Sequence, residues 1–162
     1  MRLKLTVLKT RLYLKENFKN DSFLGCSKSK RKYKCAVKEM YIGNLFKKSL
    51  KYAESLENVK IYVLSAKYGL LSLYEIIEPY DLYLSDFSKK QLFEWNVKVY
   101  NQILTQSIDF NDTALFLCGS LYYKDIKNLF KVANCLLAHM GNGKQLQYLN
   151  SLIVPNNKKS LI

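Results

Sequence analysis

Short apolar runs of strand length alternate with longer stretches in which apolar residues recur every three or four positions. Phe23-Leu24 begins one run, Lys60 to Ser65 carries a second around Ile61-Tyr62-Val63-Leu64, and Thr113 to Cys118 carries a third. Between them, Leu45, Ser49, Tyr52, Ala53 and Leu56 share one face of a helix expected over about 45–56. Leu92, Trp95, Val99, Tyr100 and Ile103 make the stripe of another over 89–106, which Ser85-Asp86 or Ser88 can cap. Residues 122–130 read as a further helical segment. The order strand, helix, strand, helix, strand, helix predicts a three-layer α/β fold, a mostly parallel sheet with helices on both faces, in a single domain.

The ends fall outside this alternation. Residues 1–22 read as a basic extension or added edge strand, with Leu3, Leu5 and Val7 alternating with Arg2, Lys4 and Thr6; residues 23–154 form the domain and 155–162 a frayed tail. At 162 residues and 49% hydrophobic content the chain suits one sizeable core, and two Pro with six Gly leave no low-complexity linker. No apolar stretch is long enough for a bilayer and no secretory signal opens the chain, so a cytoplasmic protein without membrane attachment is expected. The four cysteines form no C-x-x-C pair, and His139, in an apolar segment, reads as a core or loop residue. Neither a metal site nor a disulfide framework is suggested.

Charge is concentrated at one end. Residues 1–51 hold fifteen Lys and Arg against three acids, whereas residues 52–162 hold eleven against ten. The densest part, Lys28, Lys30, Arg31, Lys32 and Lys34, follows the first strand and would attract phosphates; a solvated face that keeps a Lys-rich chain soluble is the alternative. In a parallel sheet this loop shares an edge with the turn after the second strand. That turn is Ser65-Ala66-Lys67-Tyr68-Gly69-Leu70-Leu71, with Glu78-Pro79-Tyr80-Asp81 soon after. Packing alone does not ask for Lys67, Tyr68, Glu78, Tyr80 and Asp81 so close together, although a polar loop with a helix cap would also use such residues.

Other candidates are weaker. Cys26, with Ser27 and Lys28 in a turn of free N–H groups, could be a thiolate nucleophile or a small buried residue at a strand end. Tyr41 offers a surface on which a base could stack. Gly119-Ser120 and Gly141-Asn142-Gly143-Lys144-Gln145 could present backbone N–H groups to a phosphate or base, or simply start helices. With no P-loop and no G-x-G-x-x-G, no cofactor is expected.

Five segments together carry a resemblance: G-C-S-K-S-K at 25–30, M-Y-I-G-N-L-F-K at 40–47, S-A-K-Y-G-L-L with E-P-Y-D, F-L-C-G-S-L-Y-Y at 116–123 and M-G-N-G-K-Q-L-Q-Y-L-N at 140–150. From about Phe23 to Leu152 the chain resembles the YaaA-like domains related to a peroxide-stress protein. The resemblance implies a compact α/β domain associated with nucleic acid or nucleobase chemistry, in stress response or phage biology. Cleavage or exchange at a base–sugar bond would need a carboxylate (Glu78 or Asp81), a donor to the departing base (Tyr68 or Tyr80) and cations (Lys67 and the 28–34 cluster). The other readings are a non-catalytic DNA- or RNA-binding module and an interaction protein with a basic face. The expected partner is nucleic acid, a nucleoside or a nucleotide.

Overall fold

Each apolar run becomes a strand in the computed structural model, which describes residues 20–153. The strands are β1 (Asn20–Gly25), β2 (Cys35–Ala36), β3 (Val59–Ser65), β4 (Gly69–Ser72), β5 (Ile76–Ile77), β6 (Thr113–Leu117) and β7 (Val132–Cys135). Five of them form one sheet in the order β4-β3-β1-β6-β7, and β2 with β5 makes a small antiparallel pair. β1 runs parallel to both β3 and β6, β6 parallel to β7, and β4 folds back antiparallel on β3. The alternating amino-terminal segment and the tail expected from the sequence lie outside the described residues.

Period-2 alternation sends neighbouring residues of each strand into different cores. Phe23, Tyr62, Leu64 and Phe116 meet Trp95, Val99 and Ile103 of helix α3 (Lys89–Thr105) on one face. Leu24, Val63, Leu115 and Leu117 meet Phe46 and Ala53 of α2 (Asn44–Glu54) and Leu149 of α5 (Asn142–Ile153) on the other, beside the short α1 (Val37–Met40). The result is the three-layer α/β arrangement with helices on both faces. Each large apolar side chain buried this way contributes about 1.5–3 kcal/mol.

Several boundaries differ from the sequence pattern. β1 begins at Asn20, ahead of Phe23. Gly69–Ser72, expected as a site loop, is a strand because Gly69 takes φ +76° and reverses the chain, after which Leu70 and Leu71 are buried in opposite cores. Residues 122–130 divide into α4 (Ser120–Tyr123) and a 3₁₀ turn at Ile126–Leu129, with Tyr123, Ile126 and Phe130 still directed into the core. β7 gives no apolar pattern because it is a half-exposed edge of Val-Ala-Asn-Cys. Tyr100, which the periodicity puts in the α3 stripe, is 40% exposed, one position off the buried series of Trp95, Val99 and Ile103. Among the described residues no helix is long and apolar enough to cross a membrane.

The connections decide where a cleft opens. Chain leaving β1 passes to the face of α1 and α2; chain leaving β6 passes to the opposite face, where Tyr123 and Ile126 are buried. From β3 the chain goes through β4 and β5, then crosses the sheet edge to the 3₁₀ turn Leu84–Asp86 and α3. β1 and its neighbour β6 thus leave the sheet toward opposite faces while β3 turns back in its plane, the arrangement that opens a crevice at the carboxyl end of β1. Gly25 closes the floor: a Cβ there would stand 2.9 Å from the Cβ of Cys118.

Helix α3, which forms most of one layer, starts with a reciprocal cap: Gln91 N donates to Ser88 Oγ (3.2 Å) and Ser88 N to Gln91 Oε1 (2.8 Å). Ser88→Ala removes one of these bonds and is expected to cost about 1 kcal/mol in urea denaturation. An unchanged midpoint would show that packing alone sets the start of α3.

Candidate active site

At the mouth of the crevice a chain of hydroxyls joins three segments. Ser65, the buried last residue of β3, accepts a hydrogen bond from Tyr68 N (3.1 Å) and shares one with the Tyr80 hydroxyl (2.7 Å). The Tyr80 hydroxyl shares another with Tyr41 (2.8 Å). Trp95 Nε1 donates to the Ser65 carbonyl (2.9 Å), anchoring the strand end to α3. Tyr80 packs against both cores and meets Tyr68 edge to face at 5.5 Å. Burial, reinforced by the nearby Cys26 thiol, pushes the Tyr41 and Tyr80 hydroxyls far above the usual tyrosine range. Both are therefore fixed as neutral groups able to donate.

Cys26 follows β1 directly, its N donating to the Leu64 carbonyl (3.0 Å), and its Sγ lies in hydrogen-bond contact with the Tyr122 hydroxyl (3.1 Å). Burial raises the Tyr122 hydroxyl well above its ordinary value, and its ring stands edge-on to Trp95. Lys30 reaches over the same place: its Nζ lies 4.4 Å from the ring centre of Tyr80, 5.3 Å from Tyr83 and 5.9 Å from Tyr41. Burial lowers the Lys30 ammonium pKa, against the opposing pull of Cys26 and Asp81. Lys28 covers Tyr83 at 5.1 Å, and a hydrogen bond to Asp81 is the main cause that raises the Tyr83 hydroxyl.

The fold brings Cys26, Lys30, Tyr41, Ser65 and Tyr80 together, with Asp81 and Lys28 at the rim. Glu78 stands apart: its exposed carboxylate pairs with Lys34 (3.7 Å), and its carbonyl accepts from the Tyr68 hydroxyl (3.2 Å). Lys67 is exposed, its Nζ over Tyr68 and its carbonyl accepting from Lys98 Nζ (2.9 Å). Gly69 serves its turn, where the Gln102 side chain clamps Tyr68 O and Leu70 N. Ser27 Oγ donates to Ser29 O and accepts from Gly43 N, which braces its own loop. Gly119 and Ser120 are exposed at the start of the four-residue α4. Gly141 and Gly143 are exposed where α5 starts, and the buried Gln145 amide donates to Leu137 O and Met140 O, so it clamps the turn rather than offering itself to a ligand.

Two residues of the crevice carry no signal in the sequence: Tyr122, which reads as an ordinary helix residue beyond Gly119-Ser120, and Tyr83, two positions past Asp81. The basic loop does share the sheet edge of the Ser65 turn, because β1 and β3 are parallel. Lys28, Arg31, Lys32 and Lys34 are exposed on it, with Tyr33 57% exposed beside the Arg31 guanidinium. Among the described residues no three of His, Cys, Asp and Glu converge as metal ligands. Residues 22–151 match the profile of one protein family, described as a family of unknown function (DUF6884). No curated protein matches the chain.

Tyr80→Phe leaves the Ser65 and Tyr41 hydroxyls without their shared partner, and a loss of about 1–3 kcal/mol is expected in chemical denaturation. A loss near zero would mean that the two hydroxyls find each other or water at no cost. Alkali tests the same network. The folded chain keeps protons on Tyr41, Tyr80 and Tyr122 that the unfolded chain releases near pH ~10, so stability is complete below that pH and falls as pH climbs above it. Tyrosinate absorbance should show these residues ionising only together with unfolding; reversible ionisation of every tyrosine in the folded state would contradict their burial.

Proposed function

We propose, for a chain that belongs to the DUF6884 family of unknown function, that the crevice at the end of β1 binds a phosphorylated, base-bearing ligand and cleaves or exchanges its base–sugar bond. The observation that carries this reading is the convergence of Lys30, Tyr80 and Tyr83 above the strand end, with the exposed Asp81 carboxylate close enough to raise the Tyr83 hydroxyl. Tyrosine faces give a base a stacking surface, and the exposed Lys28, Arg31 and Lys32 beside them suit phosphate groups. Asp81 is the carboxylate next to this surface, able to stabilise positive charge developing at the sugar carbon or to activate water. The resemblance to YaaA-like domains supports a nucleic-acid or nucleotide substrate, met in the cytoplasm.

A non-catalytic DNA- or RNA-binding module is the second reading, favoured by the exposed Tyr33 and Arg31 on the basic loop. The two differ in turnover. Incubation with nucleosides, nucleotides, tRNA and modified DNA, followed by chromatography for free base, should show release, and Asp81→Asn should reduce it by a factor of about a hundred or more at unchanged melting temperature. Absence of release, with oligonucleotide affinity falling steeply as salt rises, would replace the enzyme by the binding module.

A further inference from the structure

We infer that Lys30 is the covalent nucleophile of this crevice, its amine forming a Schiff base with the C1′ carbon of the ligand's sugar; the inference rests on the base–sugar reading above. Lys30 differs from the rest of its loop. Lys28, Arg31, Lys32 and Lys34 are exposed, whereas Lys30 is half-buried, and its Nζ lies against the rings of Tyr80, Tyr83 and Tyr41. Its backbone is fixed as well: Lys30 bridges Tyr41 antiparallel, flanked by Arg31 N donating to Met40 O (2.9 Å) and Ile42 N donating to Ser29 O (3.0 Å). Lys34 has a carboxylate partner in Glu78, but among the described residues none stands within ion-pair distance of Lys30.

A lysine that only collects phosphates gains from being solvated and mobile; this one is partly desolvated, its Nζ held over three rings and donating to Lys28 O (3.3 Å). Withdrawal from water raises the fraction of neutral amine, the form that attacks carbon. Asp81, whose charge Lys30 senses, is the group placed to take the proton. The nitrogen lone pair forms the N–C1′ bond as the C1′–base bond breaks, its electron pair leaving with the base, which takes up the proton that Asp81 drew from the ammonium and so returns Asp81 to its carboxylate form. The nitrogen then loses a proton to Asp81, its lone pair expels the ring oxygen, and that oxygen receives the proton from Asp81. The product is a protonated imine, which water hydrolyses to a free sugar aldehyde and the original amine.

The test uses the full chain, single-stranded and duplex oligonucleotides each carrying one abasic site, and cyanoborohydride to reduce any imine to a stable amine. One adduct per chain is expected, mapped by peptide mass to Lys30. It should fall about tenfold or more in Lys30→Arg, which keeps the charge, and persist in Lys51→Arg and Lys90→Arg, exposed lysines away from the crevice. Melting temperature should be unchanged in Lys30→Arg. An adduct undiminished by Lys30→Arg, or spread over the exposed lysines, overturns the inference. Base release by the wild-type chain with no adduct also overturns it and leaves the base–sugar reading intact. An adduct on Lys30 in a chain that releases no base removes the base–sugar reading and retains the reactive amine.

Discussion

Tyr80 holds the crevice together. The segment from Glu78 to Asp86 crosses the sheet edge from one core to the other, and the Tyr80 ring is the part of it that packs into both. Its hydroxyl lies between Ser65 and Tyr41, so the end of β3, the crossing segment and the stretch after α1 are joined at one point. In a poorly solvated place such a chain is strong only when every member is satisfied, and each of these hydroxyls has a partner. Asp81 and Tyr83 follow Tyr80 on the same segment, and Lys30 stands over its ring from a backbone bridged to Tyr41.

Much of this is legible in the order of the residues. Parallel runs at Phe23 and Ile61 put the basic loop and the Ser65 turn at one sheet edge, and the density of polar groups between Ser65 and Asp81 marks where the hydroxyl chain forms. Which side of Pro79 faces the crevice is not legible there. Glu78 and Asp81 differ by three positions, yet one pairs with Lys34 away from the crevice and the other lies at its rim, where its charge acts on Tyr83 and Lys30. Only the path of the chain over the sheet edge decides that. Tyr122 is hidden for a similar reason: it belongs to β6's exit, and nothing local connects it to Cys26 across 96 positions of sequence. The Gly141 to Gln145 turn misleads in the opposite direction, since its composition suits a binding loop while its amide is occupied in closing the loop itself.

The crevice unites features that otherwise have separate explanations. Burying several tyrosine hydroxyls costs free energy unless each is paired. A lysine drawn back from water beside them adds a second cost. A fold using this edge only for packing would place apolar side chains there, as both cores do below it. Local choices that run against simple packing cluster at functional sites.

The central claim is that ligands enter above β1 and not at the groove near the other end of β3 lined by Glu54, Val59, Tyr74 and Gln106. Backbone amide NMR during titration with a nucleoside 5′-monophosphate tests it most directly. Saturable shifts are expected at Cys26, Lys30, Ser65, Tyr80 and Tyr122, with Glu54, Val59, Tyr74 and Gln106 unmoved. Shifts confined to the second group, or none in either at millimolar ligand, would contradict it.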